Sequence, residues 1–189
     1  LLRCEAQLAE RGRRVEVAPY DPAWPGLFQA EAARLAAVFG EELRAIHHMG
    51  STSVPGLAAK PIVDILPEVH DIQRIDDLNE AMIALGYAPK GENGIPGRRF
   101  FSKTVDGVRR FHVHVFQAGD PEIERHLAFV QYLRAHPDQA AAYGRLKQAL
   151  AERFSADIDG YADGKNDFVQ EMERKALAWR EAVEYRGLP

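Results

Sequence analysis

Gly50-Ser51-Thr52-Ser53-Val54-Pro55-Gly56-Leu57-Ala58-Ala59-Lys60-Pro61-Ile62-Val63-Asp64-Ile65 is the stretch on which the fold turns. Its first half is small, polar and turn-forming; its second half is a β-branched run with a carboxylate in the middle. The run Ile62-Val63-Asp64-Ile65-Leu66 has the composition of a strand buried on both faces, so the charge of Asp64 is the anomaly. A buried acid needs a partner or a task. The loop before it is no phosphate-cradling P-loop, because no Gly-Lys-Ser/Thr follows a glycine at the required spacing, and no dinucleotide fingerprint occurs anywhere in the chain. Glycine permits close backbone approach, Ser51, Thr52 and Ser53 offer hydroxyls and amides to phosphate oxygens, and a strand-borne carboxylate holds a divalent ion.

Upstream, Leu43 to Met49 is a short mixed run that fits a strand feeding this loop. Before it, Asp21-Pro22 reads as a helix start, and Leu27, Phe28, Leu35, Val38 and Phe39 recur at helical period up to Gly40, which predicts a helix over about 24–39. Downstream, 76–85 reads as a helix closed by Gly86, with Tyr87 opening a short strand. Asp106-Gly107, flanked by Phe100 to Val105 and Val108 to Phe116, is a two-residue hairpin signal. An unbroken ladder from that turn sets Val105 opposite Val108, Lys103 opposite Arg110, Phe101 opposite His112 and Arg99 opposite His114. One face then carries Arg99, Phe101, Lys103, Arg110, His112 and His114; the other carries Phe100, Phe111, Val113 and Val115 toward the core. From Asp120-Pro121 onward three helices follow, marked by Ile123 to Leu133, Tyr143 to Phe154 and Phe168 to Val183.

The chain has 189 residues, 46% hydrophobic and 28% charged, which supplies a sizeable core and excludes wholesale disorder. Its net charge of −4 disfavours a polyanion as main ligand, although a structured RNA end could dock on the Arg-rich hairpin; phosphate binding is expected to be local. One cysteine, Cys4, forms no intramolecular disulfide and no multi-thiolate zinc site, and no run is long enough for a membrane span, so a cytoplasmic protein without a membrane partner is expected. The first residue is Leu1 rather than methionine, which leaves room for an upstream domain.

Tyr20-Asp21-Pro22-Ala23-Trp24-Pro25, the string from Ile46 to Ile65, Phe111-His112-Val113-His114-Val115-Phe116, Arg125-His126-Leu127-Ala128-Phe129 and Tyr132-Leu133-Arg134-Ala135-His136-Pro137 together resemble the GrpB family over about 15–180, joined by Lys165 and Phe168. The resemblance implies an α+β, nucleotidyltransferase-like fold of the polymerase β superfamily, a mixed sheet flanked by helices with a C-terminal helical segment. Its core is expected at 15–118 and its helical region at 119–185, the two forming one unit; some relatives are implied to carry a fused dephospho-coenzyme A kinase domain upstream.

In that superfamily a Gly-Ser loop precedes an Asp-x-Asp pair on the next strand, with a third acid on a later strand. Here the partner of Asp64 is Leu66 or Ile62, and the later strand offers His112 and His114. Magnesium prefers oxygen ligands, so Asp64, His112 and His114 as a metal set suit zinc, manganese or iron, and Asp64 alone magnesium or manganese; the same residues also suit no metal at all, with the histidines donating to a phosphate. The expected function is nucleotidyl transfer from a nucleoside triphosphate to an unknown acceptor, with Asp64, His112 and His114 at the chemistry. Gly50, Ser51, Thr52, Ser53, Lys60, Arg99, Lys103, Arg110, Lys147, Tyr161 and Lys165 would hold the nucleotide or phosphorylated ligand. A non-catalytic nucleotide- or phosphometabolite-binding module and a one-metal phosphoesterase using Asp64, His112 and His114 are the alternatives.

Overall fold

The computed structural model describes residues 14–185, so Cys4 lies outside the described residues. Among the described residues two compact units emerge, one from 22–53 and 62–123, the other from 14–21, 54–61 and 124–185.

The first unit is built on a five-stranded sheet in the order β1-β2-β5-β4-β3: β1 Leu43–Met49, β2 Val63–Val69, β3 Tyr87–Pro89, β4 Arg99–Val105 and β5 Val108–Gln117. Only β2 and β5 run parallel; the other pairs are antiparallel. Helix α1, Trp24–Phe39, packs on β1 and β2, and its buried residues Trp24, Glu31, Ala32, Leu35 and Phe39 recur at helical period. It starts with Pro25 in its first turn, with Ala23 rather than Asp21 at the cap, and stops at Gly40. The predicted helix over 76–85 is half realised: a tighter 3-10 stretch spans Gln73–Leu78, and α2 covers Asn79–Ala84. Asp71 Oδ1 accepts from Gln73 N at 2.9 Å, a short-range side chain–backbone bond of the kind that favours a tight turn over regular helix. Leu35, Ile65, Val69, Ile75, Met82, Phe101, Val113 and Val115 are fully buried here.

The hairpin departs from the unbroken ladder. Val105 faces Val108 and Thr104 faces Arg109, but Lys103 then faces Phe111, Ser102 faces His112, Phe101 faces Val113 and Phe100 faces His114. Arg110 is the extra residue of a β-bulge, which leaves it unopposed and slips the register by one. Because side chains alternate, the slip exchanges the faces of β4. Arg99, Phe101 and Lys103 lie on the core face with Phe111, Val113 and Val115; Phe100 and Ser102 share the other face with His112 and His114. The single basic face carrying Arg99, Lys103, His112 and His114 therefore does not form.

In the second unit, α3 Pro121–Ala135 begins in the sheet unit and crosses the division, followed by α4 Pro137–Arg153, α5 Ile158–Gly164 and α6 Asn166–Tyr185. Its core gathers Val54, Leu57, Ala128, Leu133, Tyr143, Met172 and Ala176. Leu57 thus belongs to this core although its neighbours in sequence are a loop. Between α4 and α5 Asp157 serves as a helix cap: its Oδ1 accepts from Gly160 N at 2.9 Å and starts α5. The α+β class and the mixed sheet flanked by helices are as the resemblance implied. Among the described residues no helix is long and apolar enough to cross a membrane.

Candidate functional site

Parallel pairing of β2 with β5 sets Asp64 beside His112, and period two along β5 brings His114 to the same face. Asp64 Oδ1 lies 3.2 Å from His112 Nδ1 and 3.5 Å from His114 Nε2. One ligand atom from each residue lies within 4.8 Å of the others. Burial opposes the charge on Asp64, yet the hydrogen bonds and charges of His112 and His114 outweigh it and hold the carboxyl well below the usual carboxylate range. Asp64 is ionised at neutral pH. Since a carboxylate only accepts, His112 Nδ1 carries the proton between them, and His112 Nε2 is a buried atom with no hydrogen-bond partner among the described residues. Phe100 packs edge-on against both imidazoles, its ring centre 5.2 Å from that of His112 and 4.9 Å from that of His114.

Gly50 closes the other side of the carboxylate. Its φ is +70°, and a Cβ built there would sit 2.5 Å from Asp64 Oδ2. Any side chain would therefore occupy the space beside that oxygen, which is why glycine stands at the end of β1. The turn Ser51–Ser53 that follows is internally tied: Ser53 Oγ donates to Gly50 O at 2.7 Å, and Thr52 Oγ1 is 3.0 Å from His48 Nε2, whose ring stacks on Phe28. Thr52 and Ser53 are buried and shape the turn; Ser51 is half-buried.

Sequence reasoning missed Arg98. It is 5% exposed, donates from Nε to Glu92 O at 3.2 Å and from Nη2 to Asn93 O at 2.8 Å, and reaches His114 Nδ1 with Nη1 at 3.2 Å. Its place follows from the register slip, which puts residue 98, two before Phe100, on the histidines' side, and no signal in the sequence marks that slip. Burial, opposed in part by Asp64 and helped by the charges of Arg98 and His112, pushes the His114 imidazole below its ordinary pKa.

Arg99 and Lys103, expected to grip phosphate beside the histidines, are engaged elsewhere. Arg99 forms a two-pronged pair with Asp76 at 2.6 and 2.8 Å. Lys103 Nζ donates to Glu31 at 2.6 Å beneath the core face, where Tyr87 donates its hydroxyl to the same carboxylate oxygen at 2.9 Å. Glu31, 2% exposed, went unnoticed in the sequence because a single acid on an amphipathic helix looks like surface. Arg110 is exposed at the bulge. In the helical unit, Lys60 and Lys165 both approach the ring of Tyr161, at 5.6 and 5.4 Å, while Lys147 is buried over Tyr143 at 4.4 Å. Burial pushes the Tyr161 hydroxyl up to about 12.

The donor set tests whether an ion belongs here. Asp64 is ionised, Gly50 leaves a cradle beside Oδ2, and His112 Nε2 is an orphaned buried nitrogen. These fit a divalent ion held by Asp64, with phosphate oxygens completing a hard ion's shell or imidazole nitrogen completing a softer one's. The positions two residues from Asp64 are Ile62 and a fully buried Leu66, so the Asp-x-Asp pair is missing, and the other acid of β2, Glu68, is engaged by Arg44 at 3.4 Å and His47 at 3.7 Å.

Fold and site together define an α+β protein whose mixed sheet presents an aspartate and two histidines beside a Gly-Ser turn. The family model described as GrpB protein matches residues 14–175, and the chain belongs to the GrpB family. It is 48% identical over 168 residues to the UPF0157 protein YqkA of Bacillus subtilis, covering 89% of this chain and 49% of that protein. A UPF0157 protein of Pseudomonas aeruginosa is 42% identical over 171 residues, covering 87% of this chain and 69% of the relative. The chain thus spans about half the length of the first of these relatives. Among solved structures, the conserved protein GrpB from Enterococcus faecalis is similar with a TM-score of 0.84 and 42% identity, over 87% of this chain and 99% of that one.

Proposed function

We propose that this protein transfers a nucleotidyl group from a nucleoside triphosphate to a hydroxyl-bearing acceptor at the Asp64 face of the sheet. The observation that carries the proposal is the Asp64–His112 pair, with Nδ1 held by the carboxylate at 3.2 Å and Nε2 buried without a partner. An imidazole so oriented keeps its lone pair on Nε2, where it would act as a general base once an acceptor hydroxyl enters the packing around it, and the carboxylate stabilises the imidazolium that results. The acceptor hydroxyl gives its proton to His112 Nε2 as its oxygen attacks the α-phosphorus; the bond from that phosphorus to the bridging oxygen breaks, and pyrophosphate leaves. The Gly50–Ser53 turn would offer the phosphates the Ser51 and Thr52 amides, since Ser53 N already donates to Gly50 O at 3.2 Å. A divalent ion held by Asp64 would supply neutralisation of phosphate charge.

The closeness of the three donors favours a second reading, a phosphoesterase in which water is the acceptor. One assay separates the two. Each nucleoside triphosphate is incubated with magnesium or manganese, with and without a pool of small alcohols, amines and RNA, and pyrophosphate and phosphate are quantified for wild type, Asp64→Asn and His112→Gln. Acceptor-dependent pyrophosphate release lost in both variants is the expected result. Release independent of acceptor marks the phosphoesterase, and binding without any release refutes transfer.

A further inference from the structure

We infer that Arg98 makes His114 a proton-bearing support for Asp64 and thereby withholds it from any bound ion, so that the site offers a cation one carboxylate and a single imidazole. The inference rests on the proposed function only in taking a divalent ion to work at Asp64.

A guanidinium has five N–H donors and no acceptor, and it stays charged at any working pH. Its Nη1 stands 3.2 Å from His114 Nδ1, so that nitrogen accepts. A neutral imidazole has one proton, which must then be on Nε2, the atom 3.5 Å from Asp64 Oδ1. For an ion to bind Nε2 while Arg98 stays in place, the ring would have to give up its last proton. A metal-bound histidine is ordinarily arranged the other way, donating its second N–H to a carboxylate, carbonyl or water. Here that position is taken by a donor.

Nor is Arg98 a surface side chain free to swing aside. Two backbone carbonyls, Glu92 O and Asn93 O, accept from it at 3.2 and 2.8 Å, and its guanidinium lies 4.9 Å from the ring centre of Phe100, which itself packs on both histidines. The consequence is selectivity. Two histidines and one carboxylate form the set that captures zinc or ferrous iron; one carboxylate with phosphate oxygens suits magnesium or manganese. Arg98 is thus a positioning residue that biases the site toward a hard, phosphate-bearing ion.

The direct test is the tautomeric state of His114, read from long-range proton–nitrogen correlations of 15N-histidine-labelled wild-type protein, without nucleotide. The expected result is a protonated Nε2 and a bare Nδ1, with zinc titration displacing the His112 resonances and leaving those of His114 in place. A protonated Nδ1, or zinc that shifts both histidines alike, overturns the inference. In a variant that remains folded by circular dichroism, Arg98→Met is expected to tighten zinc affinity by about tenfold or more by releasing His114, while Arg98→Lys, which keeps a donor, tightens it less. Equal zinc affinity in wild type and Arg98→Met also overturns it. Because the tautomer is read without substrate, a failure of nucleotidyl transfer leaves this result standing, and the reverse holds too.

Discussion

Replacing Gly50 by alanine strikes the site at its tightest point. The backbone there has φ +70°, where an L-residue costs about 1–2 kcal/mol. In addition, the new Cβ would meet Asp64 Oδ2 at 2.5 Å and Asp64 Cγ at 3.2 Å, so the carboxylate must turn away. Turning it abandons the contacts of Oδ1 with His112 and His114, and a hydrogen bond to a charged group contributes about 1.5–3 kcal/mol. The sum is about 2.5–5 kcal/mol. Gly107→Ala is the control, since Gly107 has φ +76° with nothing within 4 Å and should lose the backbone share alone. Urea unfolding of wild type and both variants reads the difference, which should be at least about 1.5 kcal/mol. Equal losses in the two variants would refute the claim that Gly50 is there to admit the Asp64 carboxylate.

Glu31→Gln should destabilise by about 3–5 kcal/mol, because it removes the carboxylate that meets Lys103 in a buried site, and adding Lys103→Met should recover part of the loss in the same urea titration. Arg99→Ala breaks a pair whose acid is half exposed, so it should cost no more than about 1 kcal/mol and leave nucleotide binding, followed by calorimetry, unchanged. At high pH the Tyr161 hydroxyl, pushed up to about 12 from 10.0, stays protonated in the native state while the unfolded chain ionises; stability is therefore lost as pH rises between those values, by up to roughly 2.7 kcal/mol. Tyr161→Phe should flatten that part of the stability profile, and a profile unchanged by the substitution would contradict the burial account.

The Asp64–His112–His114 group was legible because it depends only on period two within β5 and on the apolar run Ile62 to Leu66 with its single acid, neither of which a hairpin slip alters. The cations around it were not. Asp106-Gly107 correctly marks the turn, with Val105 opposite Val108, but Arg109 and Arg110 are chemically alike, and nothing in their order says which is extra. One bulge at Arg110 exchanged the faces of β4, carrying Arg99 and Lys103 to the core side and Phe100 and Ser102 to the site. Arg98 was hidden by the same slip. Helices α1, α4 and α6 followed from apolar periodicity, whereas the apolar residues Val54 and Leu57 sit in a loop with no period and betray their place in the helical unit's core only through contacts distant in sequence.

The central claim, that Asp64 anchors a site for a metal-bound nucleoside triphosphate, is tested most directly by thermal unfolding of wild type and Asp64→Asn with each triphosphate and magnesium or manganese. At a free ligand concentration about 100 times Kd the folded state gains roughly 2.7 kcal/mol, a rise in midpoint of about 5–10 °C for a chain of this size. That rise is expected in wild type with at least one triphosphate, dependent on the ion and absent in Asp64→Asn. A rise of the same size in Asp64→Asn, or none in wild type with any triphosphate and ion, would contradict it.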